Sequence, residues 1–267
     1  MNCKLEFPLS PELEKYRDRI EATIKPYIEI KIQNNDRLNL WKSKFGGLPY
    51  LPKGFEYPKT PDGKYLFLLA QINFSEVPPL DGFPERGILQ FYIGDDSGYG
   101  IGSEQLPQCS QVLYFHEPDL SLENPIINYD FLPEPEYFPV YGCYGLQFTK
   151  KYRPISIADY QCSQLLGEDC YELLTNNYRI EEQYLQISRP FGHKISGYPD
   201  FAQCDPRCGN NPDSDTDQNI LLLQMDSSDD DSVHILWGDG GVCNFFISKS
   251  ELINLDFSDV WYNWDCV

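Results

Sequence analysis

The sequence predicts an α+β fold that is mainly β, built as two β-rich, roll-like halves with an N-terminal helix and connecting helices. Three observations carry this expectation. Blocks recur in order: Lys44-Phe-Gly-Gly47-Leu-Pro49, Leu68-Leu-Ala-Gln71-Ile and Gly87-Ile-Leu-Gln-Phe91-Tyr-Ile93 return as Lys194-Ile-Ser-Gly197-Tyr-Pro199, Leu221-Leu-Leu-Gln224-Met and Gly241-Val-Cys-Asn-Phe245-Phe-Ile247. Corresponding residues stand 150, 153 and 154 positions apart, so order and spacing are both kept, as an internal duplication requires. The 19 tyrosines and 16 phenylalanines suit sheets, and 21 prolines with 19 glycines supply frequent chain reversals.

Ser10-Pro-Glu opens a helix, because serine accepts an orphan backbone N–H and proline has none to leave unpaired. Leu13, Tyr16, Ile20, Ile24 and Tyr27 then form one helical stripe, which Pro26 ends. Ile28, Ile30 and Ile32 alternate with Glu29 and Lys31 as a half-buried strand does. These elements occupy 1–40. A first repeat over 41–150 carries strands at 65–72, 88–93, 111–116 and 146–150, interrupted by a proline-rich, aromatic surface excursion at 124–139. Residues 151–189 form a helical connection of one or two helices, since Ile157, Tyr160, Leu165, Leu166, Leu173 and Leu174 fall at roughly helical intervals. A second repeat over 190–267 returns to strands at 220–225, 233–236 and 242–247, with a hairpin at Asp239-Gly240. Ser248-Lys-Ser-Glu251 has the pattern of a capping box and starts a helix. The whole is expected to form one compact domain, 1–267.

Forty-one acidic residues against 21 basic ones leave a formal charge of −20, which disfavours nucleic acid and anionic membranes and favours a basic protein partner. No apolar run reaches the length of a bilayer span, and the start lacks the pattern of a secretion signal. Nine scattered cysteines fit a reducing compartment, so a cytoplasmic protein is expected.

The repeated blocks, Trp237-Gly-Asp239-Gly-Gly241 and the closing Asp256-Phe-Ser-Asp259 together resemble the bacterial YwqG family, a domain of unknown function, from Trp41 onward. The resemblance implies a mainly β, duplicated, roll-like fold in a cytosolic protein, with no activity, cofactor or catalytic residue to transfer. An immunity-like role in partner binding is the expectation it adds.

Gln71 and Gln224, each set in an apolar strand, must find partners, since an unpaired buried amide costs about 1–3 kcal/mol. They line a ligand groove between the repeats, or each pins the Gly-x-Pro turn of its own repeat. The second reading is preferred, because duplication by itself preserves such devices. Trp237, Asp239 and His193 are further candidate ligand contacts, and Asp226, Asp229, Asp230 and Asp231 form a candidate patch for a basic partner. Asp213, Asp215 and Asp217 alternate like the opening of a calcium loop, but Gln218 and Gln224 replace its glycine and glutamate. Cys204 and Cys208, with His193 and Cys243, are candidate zinc ligands. Only one close-spaced pair is present where structural sites show two, so no metal or other cofactor is expected. No nucleophile elbow or His-Glu-x-x-His motif occurs, and the histidines are His116, His193 and His234. The function expected is a non-catalytic binding module. The alternative is a hydrolase with its site between the repeats, which a Cys243 nucleophile and a distant histidine would serve.

Overall fold

The computed structural model describes residues 4–5, 8–33, 38–102, 109–121, 123–208, 220–229 and 232–267. Two short helices, α1 (Pro11–Glu14) and α2 (Arg17–Ala22), lead into β1 (Lys25–Gln33). The expected single helix is broken at Lys15-Tyr16, where the Tyr16 N–H bonds to the carbonyl of Leu13, three residues back. Tyr27 belongs to the strand, with Pro26 beside its start. There follow β2 (Lys44–Gly46), β3 (Phe67–Asn73), β4 (Ile88–Ile93), β5 (Ser110–Phe115) and β6 (Cys143–Arg153). The connection holds three helices rather than one or two: α3 (Cys162–Leu166), α4 (Glu168–Asn176) and α5 (Tyr178–Ser188). Gly167, at φ 85°, separates the first pair, and the side chain of Asn177 caps the third. The chain closes with β7 (His193–Ile195), β8 (Ile220–Asp226), β9 (Ser228–Asp229), β10 (His234–Ile235), β11 (Val242–Ile247), α6 (Lys249–Asn254) and β12 (Trp261–Asp265).

Ten strands form one antiparallel sheet in the order β12-β11-β8-β7-β1-β6-β2-β3-β4-β5. Its centre is the β1–β6 ladder, in register from Lys25↔Arg153 to Gln33↔Gly145. On either side the order is mirrored, and each central strand lies next to the short strand that follows the other one in the chain: β1 pairs with β7, and β6 pairs with β2. The sheet curls into a nearly closed barrel. Phe91 of β4 meets Phe245 of β11 at 4.9 Å between ring centres, and the Tyr262 hydroxyl of β12 donates to the Tyr99 carbonyl. β5 and β12 are the two edges of the sheet.

Barrel strands β3, β4 and β11 are buried along their full length. One face of β4, with Leu89, Phe91 and Ile93, points into the barrel core, which also holds Phe45, Met225, Trp237 and Tyr262. The opposite face is covered as well: Leu68 and Tyr92 pack under Leu51, Tyr57 and Tyr129 in one half, and Leu221 and Phe246 under Phe201 in the other. Burial on both faces explains why these strands read as continuous apolar runs rather than as alternation. Helices α1 to α5 make a separate cluster around Ile20, Leu166 and Tyr184.

The covering segments are irregular, and their buried peptide groups need partners that no strand supplies. Gln71 supplies them for one half. Its Nε2 donates to the carbonyls of Leu40 (2.7 Å) and Lys42 (2.8 Å), and its Oε1 accepts from the N–H of Tyr50 (2.8 Å) and from Gln90 Nε2 (2.7 Å). Gln224 does the same in the other half, donating to Pro190 (2.9 Å) and Gly192 (2.8 Å) and accepting from the Asp200 N–H (2.8 Å). Gln90 and Asn244, directly opposite the two glutamines on neighbouring strands, donate to the carbonyls of Tyr50 and Asp200. Every backbone partner in one half stands 150 residues from its counterpart in the other.

The covering segment of the second half is fastened further by Arg207, whose guanidinium lies between Asp159 (3.0 Å) and Asp205 (2.6 Å) and over the Phe246 ring. All three charged side chains are nearly inaccessible, so removal of one would leave buried charge uncompensated. The capping box at Ser248 and Glu251 is formed in full.

Replacement of Gln71 by leucine leaves the Lys42 carbonyl and the Tyr50 N–H without their partner, and leaves the Leu40 carbonyl with the Lys44 ammonium alone. Gln71→Leu is expected to lower unfolding stability by about 3 kcal/mol in urea titration; an unchanged midpoint would show that the segment finds other partners.

Candidate functional site

Gln71 and Gln224 are wholly buried, and Gln71 has both donors and its acceptor oxygen committed within the protein. The glutamines sit on the outer face of the sheet under the covering segments. Where the halves meet inside the barrel, the space is filled by rings such as Phe91 and Phe245. Trp237 lies in that core at 0% exposure, packed edge-on to Tyr99 at 5.6 Å. Asp239 is on an exposed turn over 238–240. This turn is no hairpin, since β10 pairs with β9 while β11 pairs with β8 and β12.

His193 is buried on β7 against Phe45, and its Nδ1 accepts the backbone N–H of Asp226 (3.1 Å). Ser43 Oγ accepts the N–H of Asn73 in the same way in the first half. The Asp226 carboxylate accepts the Gly192 N–H and is half-buried, which raises its pKa. The Asp229 side chain and all of Asp230 and Asp231 lie outside the described residues, as do Asp213, Asp215 and Asp217. Cys204 and Cys208 are exposed on the covering segment, whereas Cys243 is buried in the barrel, where burial pushes its thiol well above the usual range. The structure does not bring these cysteines and His193 together, and among the described residues no three metal-ligating side chains gather. His116, beyond β5, stands beside Arg86, and His234 lies on β10, so the histidines occupy three separate surroundings.

Two grooves are formed by other residues. One, of about 430 Å³, follows the seam between the sheet edges, with Val112 and Tyr114 of β5 on one wall and Leu255, Phe257 and Val260 on the other. The larger, of about 680 Å³, lies in the first half between the Gly47-Leu48 turn and the excursion from Ile127 to Gly142. Its floor is apolar, made by Tyr57, Phe67, Leu68, Phe138 and Val140. On its rim Leu48, Ile127 and Tyr141 are 45%, 77% and 62% exposed, and Asp130 and Glu134 add carboxylates.

Both walls are held by hydrogen bonds. The Tyr129 hydroxyl donates to the Pro49 carbonyl (2.8 Å), and the Ile126 N–H to Leu51 (2.7 Å). Asp95 accepts the N–H groups of Glu136 and Tyr137, and the Tyr141 N–H donates to His234 of the other half. The turn needs its glycines: Gly47 is at φ 70°, and a Cβ there would stand 2.5 Å from Cys143 Sγ. Reading the sequence missed this groove as a site. Its signal was the aromatic and proline content of 124–139, which marks an ordered excursion without showing what it faces.

The model of a protein family described as a domain of unknown function, DUF1963, matches residues 43–266. No curated protein matches the chain.

Burial lowers the His193 pKa to about 4 from its usual 6.5. The folded protein therefore holds a neutral imidazole whose Nδ1 is an acceptor, while the unfolded chain takes up a proton below pH 6.5. The stability that this neutral imidazole provides is complete above pH 6.5 and is lost as pH falls to 4, on the order of 3 kcal/mol. Asp200, partly buried and with its pKa raised by desolvation, works in the opposite direction, gaining stability as pH falls. The difference between wild type and His193→Asn isolates the histidine: urea titrations at pH 7 and pH 4.5 are expected to show a smaller acid loss in the variant. Equal losses would mean that His193 is not the group that titrates.

Proposed function

We propose that this chain, which belongs to the DUF1963 family, is a non-catalytic binding module that takes an apolar segment with basic flanks, presented by a partner protein, into the groove between Gly47 and Gly142. The observation that carries the proposal is the combination of an apolar floor, exposed apolar side chains on the rim and carboxylates beside them. Soluble domains seldom leave Leu48, Ile127 and Tyr141 clustered and open unless something covers them. The firmly held walls favour recognition, because little ordering is needed when the segment enters.

The charge selects the partner. With a net −20 the whole surface attracts a basic protein over the screening distance, while Asp130 and Glu134 favour lysine or arginine next to the inserted apolar residues. The sequence resemblance to the YwqG family supports the same reading in a narrower form: an immunity-like protein acting in the cytoplasm, which masks a cationic partner. The Asp226 to Asp231 stretch would add long-range attraction to such a partner.

Selection from a random 12-residue peptide display library on the immobilised protein tests this. Enriched peptides are expected to carry two or three apolar residues flanked by lysine or arginine, with affinity that falls as salt is raised. The double variant Ile127→Ser, Tyr141→Ala changes exposed side chains, so it is expected to keep its melting midpoint and to bind those peptides at least about tenfold more weakly. Enrichment of acidic peptides, or binding indifferent to the double variant, would overturn the reading.

A further inference from the structure

Basic residues are half as numerous as acidic ones, yet several converge on one small cavity. It lies between the start of β1, the end of β6, the C-terminus of α5 and the turn after β7, and it is lined by Lys25, Arg153, Ser188, Arg189, Lys194 and Tyr198. Clustered cations in an acidic protein are normally offset by carboxylates. Among the described residues, Lys25, Arg189 and Lys194 have none within ion-pair distance, while Arg153 is engaged with the Tyr27 hydroxyl. Asp200 and Asp226 act on Lys194 only from farther away. The C-terminal carbonyls of α5 offset part of this positive charge.

The correspondence between the halves exposes a missing contact. Lys44, buried on β2, donates its three ammonium hydrogens to the carbonyls of Asn39, Leu40 and Leu48. Lys194, at the same place on β7, donates to Pro190 and Tyr198, which stand 150 residues after Leu40 and Leu48. The counterpart of Asn39 is Arg189, whose left-handed backbone at φ 40° ends α5, and its carbonyl is not among the acceptors. The Lys194 ammonium therefore has two oxygen acceptors where Lys44 has three, with the Tyr27 ring 5.9 Å away at the cavity wall. Ser188, 3% exposed on the same wall, has a hydroxyl with no hydrogen-bond partner among the described residues.

We propose that this cavity binds a phosphate group, with one oxygen seated between the Ser188 hydroxyl and the Lys194 ammonium and the others toward Lys25 and Arg189 at the mouth. The cavity is about 10 Å³, at the lower limit for one water-sized group, so a single oxygen enters it and the rest of the phosphate stands at the mouth. Lys25, whose ammonium lies 4.4 Å from the centre of the Tyr198 ring, and Arg189 are exposed at the mouth, where the remainder of the ligand would stand. A single water would satisfy the hydroxyl but leave the two ammonium groups with only the Tyr198 and Tyr27 rings and distant carboxylates as counterweight. An anion in contact also offsets the desolvation that lowers the pKa of Lys25 and of Lys194. The net charge of −20 holds off polyanions, so the ligand is inorganic phosphate or a small molecule that carries one phosphate group.

Calorimetric titration and thermal melting of the full chain with inorganic phosphate, glycerol phosphate and chloride, all at equal ionic strength, test the proposal. Saturable one-to-one binding of a phosphate species is expected, with a rise in melting midpoint that chloride does not produce. Ser188→Ala and Arg189→Asn are each expected to weaken that binding about tenfold. Neither should lower the midpoint without ligand, since the first removes an unpartnered hydroxyl and asparagine tolerates the left-handed backbone. Tighter binding of glycerol phosphate identifies a phosphate ester as the source, and tighter binding of inorganic phosphate identifies the free ion. A midpoint shift equal to that of chloride, or affinity unchanged in both variants, would overturn the assignment.

Discussion

The structure depends on one constraint: the outer face of a curled sheet is covered by chain that has no regular hydrogen-bonding partner. A side-chain amide offers N–H donors and a carbonyl acceptor of the same kind as a peptide does. Gln71 and Gln224 use this to fasten the segments around 40–50 and 190–200 to the sheet, and Lys44 and Lys194 gather the carbonyls that the amides leave. Without these four side chains the covering segments would keep their apolar contacts but bury unsatisfied peptide groups. The sheet itself would then lose the cover over Tyr92 and Phe246, whose burial both faces of the barrel require.

Small departures between the halves show where constraint is relaxed. Gln90 Oε1 accepts from the Tyr92 hydroxyl, but the residue corresponding to Tyr92 is Phe246, and Asn244 Oδ1 has no partner among the described residues. The Phe246 ring instead carries the Arg207 guanidinium on its face. One half thus closes its cover with a hydroxyl and aromatic rings, the other with an arginine between two carboxylates. The larger groove opens in the half that relies on rings, beside the proline-rich excursion.

Much of the architecture was legible because it rests on local pattern. Ile88–Ile93 and Val242–Ile247 coincide with their apolar runs, and the capping box at Ser248 marked the start of α6. What escaped depends on contacts remote in sequence. Trp261–Asp265 forms β12 by pairing with β11 rather than by an alternation of its own, and β2 and β7 are three residues each, too short for a period. The Asp239-Gly240 dipeptide has the chemistry of a turn, but which sheets its flanks join is set elsewhere. The groove draws its lining from four separated stretches, and the cationic cavity from the ends of four elements, so neither leaves a contiguous motif.

The exchange of β1 and β6 between neighbours has a consequence for how the molecule holds together. β1 joins β7 and β6 joins β2, so each strand enters the ladder of the short strand that follows the other, and the two pair along nine residues at the centre. This is the connectivity of a strand-swapped homodimer written into a single polypeptide. The halves are therefore clasped rather than stacked: to part them, the β1–β7, β1–β6 and β6–β2 ladders must open together.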